Sequence, residues 1–268
     1  INELENLLGA QLVERNKRQV LITPLGEEVV SRARSILQEV DELTTMAQAA
    51  TEPLSGPIHI GVIPTIGPYL LPDVMTQIKS GFPKLQPFLR EDQTGNLIKL
   101  LSAGKLDLAL IALPIEEAWL EEFDLFEDQF VFACSPDNPL TSKSRLEISD
   151  IKDEKLLLLE DGHCLRDQAL EVCQKAGWSK SADFQANSLS TLVQMVAAGV
   201  GSTLLPEMSL EVEARRPDLL KIMPFENPVP IRRIGMVWRR SSARKREYRQ
   251  LATYLRDRLT PRHQADVA

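Results

Sequence analysis

The chain has 268 residues, 43% apolar and 26% charged, an ordinary globular composition for one large or two modest domains. No run of eighteen apolar residues occurs, which argues against a membrane span, and three cysteines are too few for a secreted disulfide framework. Net charge is −7 but unevenly placed: residues 1–231 carry a balance of −15 and residues 232–268 one of +8. That basic end reads as a solvated helix, with Arg244, Lys245, Arg249 and Arg256 around the helically spaced Tyr248, Leu251 and Leu255. The chain starts at Ile1, already inside a helical pattern, and so reads as a fragment.

A short helix from Ile1 to Leu8 is closed by Gly9, where a left-handed cap fits. Strand-like runs Gln11–Glu14 and Gln19–Thr23 flank a basic turn, Arg15-Asn16-Lys17-Arg18. After a helix this has the form of a wing, whose Arg15, Lys17 and Arg18 would contact DNA phosphates without reading bases. Thr23-Pro24 starts a helix expected to run to about Thr51. Val29, Ala33, Ile36, Val40, Leu43, Ala47 and Ala50 follow at alternating spacings of four and three, a heptad seam for an intermolecular helix pair.

Beyond Pro57 strands and helices alternate. Strands are expected at Ile58–Ile63, Leu85–Glu91, Leu106–Leu113, Leu156–Leu159, Phe184–Ala186, Ser202–Leu205, Leu219–Met223 and Arg233–Trp238. Helices fit Gly67–Ser80, Thr94–Ala103, His163–Ala176 and Leu189–Ala198. The alternation implies an α/β fold with parallel sheets in two lobes, joined by crossovers near Gln129 and Asn227–Pro230. Ligands in such folds sit in the crevice at the strand ends. Thr65 and Thr94 stand at two of those strand-to-helix turns, as crevice hydroxyls or as plain N-caps.

Cys134 shares a strand face with Phe130 and Phe132 and reads as an inert core thiol. Cys164 follows Asp161-Gly162-His163, with Asp161 as a candidate cap, so its thiol falls in a first helical turn that favours the thiolate. His163 and Arg166 could add positive charge. Cys173 lies nine residues on, on the opposite face and roughly 13–14 Å along a continuous helix. A disulfide needs Cα atoms about 4.4–6.8 Å apart, so a bond between the two would unwind the helix. The spacing alone leaves open two unrelated buried thiols. No zinc pattern, C-x-x-C motif or cofactor signature is present.

Leu4-Glu5-x-x-Leu8-Gly9-x-x-Leu12-Val13-Glu14-Arg15 and Leu21-x-Thr23-Pro24-x-Gly26 resemble the winged helix-turn-helix of LysR-type transcriptional regulators. The remainder resembles their two-lobed effector domain, which is similar to periplasmic binding proteins. Ile63-Pro64-Thr65-Ile66-Gly67-Pro68 and Leu159-Glu160-Asp161-Gly162-His163-Cys164-Leu165-Arg166 are similar to the peroxide-sensing members. The resemblance implies residues 1–23 as the remnant of the DNA-binding domain, 24–56 as linker and dimerisation helix, and 57–268 as the redox-sensing domain. Lobe I would take about 57–128 and 229–268, lobe II about 129–228. It implies Cys164 as peroxidatic and Cys173 as resolving thiol, with Thr65, Thr94, His163 and Arg232 around the peroxide, Arg233 being one register step away. It further implies a cytoplasmic, non-enzymatic activator that assembles as homodimers and homotetramers. Its partners would be hydrogen peroxide, RNA polymerase and promoter DNA, the last bound weakly or not at all by this fragment. The competing readings are a LysR-type regulator of a small organic effector, a thiol peroxidase and a transported solute-binding protein.

Overall fold

The computed structural model describes residues 1–16, 19–33, 36, 37, 40, 53–178 and 184–259. Helix α1 (Asn2–Leu8) ends at Gly9, whose φ of 65° is the left-handed cap expected there. The Glu5 carboxylate accepts from the backbone N–H of Leu12 at 2.6 Å and of Val13 at 3.0 Å, tying α1 to the hairpin of β1 (Val13–Asn16) and β2 (Gln19–Ile22). Helix α2 covers residues 24–33, with 36, 37 and 40 also helical. The Thr23 hydroxyl caps it by accepting from Gly26 N–H at 3.0 Å. A Cβ on Gly26 would lie 2.2 Å from the Leu12 carbonyl oxygen, so only glycine lets this first turn rest against the hairpin.

The two-lobed α/β body comprises β3 (Gly56–Val62), α3 (Gly67–Gly81), β4 (Leu85–Glu91), α4 (Thr94–Ser102), β5 (Leu108–Leu113) and β6 (Leu120–Cys134). After β6 come β7 (Leu158–Leu159), α5 (Cys164–Lys175), β8 (Gln185–Ala186), α6 (Leu189–Ala197), β9 (Thr203–Pro206) and α7 (Leu210–Glu213). Strands β10 (Lys221–Pro224) and β11 (Ile231–Arg239) and helix α8 (Lys245–Arg256) complete it. The sheet is mixed rather than wholly parallel, which corrects the sequence expectation. Strands β4, β3 and β5 run parallel, while β11 inserts antiparallel between β5 and β6. Strand β6 pairs with β11 over 120–129 and with β9 and β10 over 130–134. One long strand thereby serves two hydrophobic cores. The first gathers β3, β5, β11, α3 and α8; the second gathers the end of β6, α5, α6 and β9.

The basic C-terminal helix is more than a solvated face. Tyr248, Leu251 and Leu255 are buried as the spacing requires, but so is Arg244. Its guanidinium pairs with Glu247 at 3.1 Å and donates to the carbonyls of Pro57 at 2.9 Å and Ser55 at 3.3 Å. Glu247 in turn accepts from Leu54 N–H at 2.8 Å, so this pair clamps the entry to β3.

Candidate functional site

Helix α5 opens at Cys164 with His163 as its N-cap, and no side chain caps it. Asp161, the expected cap, instead pairs with Arg166 Nε at 2.8 Å. Arg166 also donates to the Leu159 carbonyl at 3.0 Å, so its charge is committed to that turn. Gly162 takes φ 94°, and a Cβ there would stand 2.7 Å from Gln93 Oε1. The left-handed turn requires glycine, while the nearby Gln93 side chain could shift aside. The resulting crevice is narrow and tightly closed, lined by Thr65, Gln93, Thr94, Gly162, His163 and Cys164, with Ile63 and Pro64 behind.

Arg232 is fully buried. It meets Asp128 Oδ2 at 2.9 Å through Nε and at 2.8 Å through Nη2. It donates to Thr65 Oγ1 at 3.3 Å, to the Thr65 carbonyl at 3.2 Å and to Met208 Sδ at 3.1 Å. Arg233, the alternative one residue on, pairs with Asp124 at the surface, 3.1 Å away. Thr65 is buried and does not cap α3, whose N-cap is Ile66. Thr94 is the first residue of α4, after the N-cap Gln93; its Oγ1 is buried without a hydrogen-bond partner among the described residues. Neither threonine is a plain cap. His163 is buried, with Nε2 4.0 Å from Glu160 Oε1.

The sequence suggested a thiol favoured as thiolate; the net direction is the opposite. Burial pushes the Cys164 thiol up, against the lowering effects of Arg232, Thr94 and the Leu165 backbone N–H. The groups that favour the thiolate are in place, and burial outweighs them. Cys164 packs against the first core, whereas Cys173 on the same helix is wholly inside the second. Burial pushes Cys173 to about 12; Cys134, buried with Phe130 and Phe132, is pushed to about 11 by burial and by Glu154. All three thiols are free.

Asp128, Gln93 and Met208 complete the site, and sequence reasoning missed them. Asp128 sits among Glu121, Glu122, Asp124 and Glu127 on β6 and carries no mark of burial in the sequence. Outside the crevice, Arg15 lies on β1 opposite Val20, while Lys17 and Arg18 fall outside the described residues. In the heptad seam Val29 is half-buried and Ala33, Ile36 and Val40 are exposed; Leu43, Ala47 and Ala50 lie outside the described residues. Among the described residues no group of three His, Cys, Asp or Glu could hold a metal, and no helix is long and apolar enough to cross a membrane.

Two lobes sharing one long strand, with a cysteine at a helix start between them, have the architecture of a LysR-type effector domain. Residues 51–260 match the LysR substrate binding domain. The chain is 44% identical over 259 residues to the DNA-binding transcriptional dual regulator OxyR of Escherichia coli K12, covering 97% of this chain and 85% of that protein. A cysteine-to-serine mutant of Corynebacterium glutamicum OxyR, solved with H2O2 bound, aligns with a TM-score of 0.76 at 38% identity, over 96% of this chain and 81% of that one. Full-length Pseudomonas aeruginosa OxyR, carrying a cysteine-to-aspartate change, aligns with a TM-score of 0.79 at 35% identity, over 96% and 83%. The chain belongs to the LysR family and, within it, to the OxyR group of hydrogen peroxide-inducible activators.

Proposed function

We propose that this chain senses hydrogen peroxide at Cys164 and converts the oxidation into a change of DNA-bound assembly. The carrying observation is the position of Cys164: it starts α5, faces Thr65 and Thr94, and feels the buried charge of Arg232. The Cys164 thiolate attacks one peroxide oxygen; an S–O bond forms, the O–O bond breaks, and the second oxygen leaves as hydroxide that takes a proton to become water. Cys173 then attacks the sulfenic sulfur, an S–S bond forms, and the hydroxyl leaves as a second water. Two thiols lose two electrons and one peroxide becomes two waters.

Thr65, Thr94 and His163 position the peroxide, while Arg232, held by Asp128, stabilises the thiolate and the departing hydroxide. Residues 1–23 supply the winged DNA-binding part, with Arg15, Lys17 and Arg18 on phosphates, and 24–56 the linker. The regulatory domain crosses between lobes near 129 and 229, which the division into two hydrophobic cores supports. The exposed seam of α2 supports pairing into homodimers and homotetramers that meet promoter DNA and RNA polymerase in the cytoplasm.

Brief treatment with one equivalent of peroxide, followed by mass spectrometry, tests the chemistry. Wild type should consume it stoichiometrically and gain a Cys164–Cys173 bond, and Cys164→Ser should do neither. Catalytic turnover with added reductant, or a bond that survives Cys164→Ser, would refute the reading.

A further inference from the structure

The thiol crevice is closed against the reagent it would admit. Its walls leave no room for a water molecule between them. Hydrogen peroxide is larger than water, so it reaches Cys164 through this crevice only if a wall moves.

Most of the walls are fixed. Thr65 is buried and bonded to Arg232 through both its hydroxyl and its carbonyl. Ile63 is buried, and its carbonyl accepts from Ile66 N–H at 3.0 Å and Gly67 N–H at 2.9 Å, which anchors the turn carrying Pro64. Thr94 and Cys164 open helices α4 and α5, and His163 is buried at the α5 N-cap. Gly162 has no side chain to withdraw. Gln93 differs from all of these. It is half-buried, and its carboxamide has no hydrogen-bond partner among the described residues. Its backbone, by contrast, is held: Asp92 Oδ1 accepts from its N–H at 2.9 Å, and its carbonyl accepts from the Asn96 and Leu97 N–H groups at 3.0 Å each. The side chain therefore changes rotamer on a fixed pivot.

What it rests on is Gly162. A Cβ built on that glycine would meet three atoms of Gln93 first, Oε1 at 2.7 Å, Cδ at 3.1 Å and Nε2 at 3.3 Å, so the whole carboxamide lies across it. Gly162 is the exposed lip of the crevice ahead of α5, and Gln93 is the half-buried lip ahead of α4. The two lips touch.

We propose that Gln93 is a gate over Cys164 that selects the oxidant by size. Its carboxamide swings off Gly162 to admit a molecule as small as hydrogen peroxide and closes behind it. Once closed, the free amide has a donor and an acceptor to offer the bound oxygens. An alkyl hydroperoxide keeps its carbon body in the gap to which the carboxamide must return, and is disfavoured for that reason. The selection rests on the peroxide reading above; the gate over the thiol does not.

Oxidation of the reduced full chain by hydrogen peroxide and by tert-butyl hydroperoxide, quenched and read by mass spectrometry, tests the selection. With the second oxidant the thiolate takes the terminal oxygen, the O–O bond breaks, and tert-butoxide leaves to become tert-butanol. Wild type should favour hydrogen peroxide. Gln93→Ala should shift the ratio of the two rates toward tert-butyl hydroperoxide by about tenfold or more, the scale on which the fit of a few carbon atoms is felt. Gln93→Met, which keeps the length without the amide, should retain most of the wild-type preference. A brief pulse of iodoacetamide, which needs access to the thiol but no peroxide chemistry, tests the gate itself. Cys164 should be alkylated faster in Gln93→Ala than in wild type, while Cys134 and Cys173, sealed in the second core, stay unlabelled and show the fold intact. Equal alkylation of Cys164 in the two proteins would overturn the gate. Faster alkylation with an unchanged ratio of oxidation rates would overturn the selection. A wild type inert to both oxidants would sink the peroxide reading, and the alkylation result would still decide the gate.

Discussion

Thr94→Val separates a site residue from a structural one, because it should stabilise the fold and slow the chemistry together. The Thr94 hydroxyl is buried and meets no partner in ordinary hydrogen-bond geometry among the described residues while Cys164 is a thiol, yet it interacts with that sulfur so as to favour the thiolate; Gln93 occupies the N-cap. An unmet buried hydroxyl costs about 1–3 kcal/mol, and valine keeps the shape while removing it. Reduced Thr94→Val should therefore gain about 1 kcal/mol, or roughly 2–4 °C in Tm for a chain of this size. The same change deletes the interaction through which Thr94 lowers the Cys164 pKa. A hydrogen bond to a charged group contributes about 1.5–3 kcal/mol, so the second-order rate should fall about tenfold or more, and the thiolate population near neutral pH should fall with it. Burial already holds this thiol above its ordinary range, so the rate at neutral pH tracks the thiolate fraction and the loss is not masked. Stopped-flow oxidation across pH, paired with scanning calorimetry, reads both effects. A lower Tm with an unchanged rate would refute the reasoning outright.

Cys173→Ser should accumulate sulfenic acid at Cys164, whereas Cys134→Ser should leave disulfide formation intact; mass spectrometry with a sulfenic-acid trap decides, and a Cys134→Ser protein unable to form the bond would contradict the assignment. Burial raises Cys173 from 9.0 to about 12, so the unfolded chain loses that proton first and the contribution of this thiol to stability declines as pH rises through this window. Cys173→Ala should flatten that alkaline decline in denaturant titrations, and an identical slope would count against it. Val29→Lys with Ile36→Lys places charge on the apolar seam of α2 and should weaken self-association in sedimentation; unchanged association would remove the seam as an interface. Gln168→Leu removes a buried amide oxygen that has no partner among the described residues, stabilising reduced α5 by about 1 kcal/mol and disfavouring its opening. Equilibration with glutathione should then show a more easily reduced disulfide.

The legible parts of this molecule are those written in local chemistry. Helix α5 was expected from His163 to Ala176 and spans Cys164–Lys175, because Gly177, at φ 78°, marks its end in the sequence as it does in space. The Gly9 cap and the Thr23 cap are likewise local. Strand β6 was not legible in full. Its first ten residues carry five acids and resemble a loop; what makes them a strand is β11, distant in sequence, lying antiparallel beside them. The same distance hid Asp128 and with it the reason Arg232 rather than Arg233 turns inward. The raised thiol pKa was illegible because desolvation is a property of the assembled lobes, whereas the helix start that opposes it is visible in the sequence.

The placement of α5 sets how the proposed disulfide can be reversed. Cys164 meets one core and Cys173 is sealed in the other, on one continuous helix. Joining them means withdrawing Leu165 and Val172, which are 2% and 6% exposed. Each contributes about 1.5–3 kcal/mol by its burial, so opening costs about 3–6 kcal/mol before any repacking. The unpartnered oxygen of Gln168, on the same helix, offsets about 1–3 kcal/mol of that when it reaches water. The remainder, about 0–5 kcal/mol and centred near about 2.5, falls on the disulfide and makes it roughly 50 mV more oxidising than an unstrained bond, since about 30 mV corresponds to 1.4 kcal/mol. Peroxide oxidation is driven far enough to bear that cost, whereas the thiol pool gains it back on reduction. The burial that keeps the two sulfurs apart thus favours a transient bond over a permanent one.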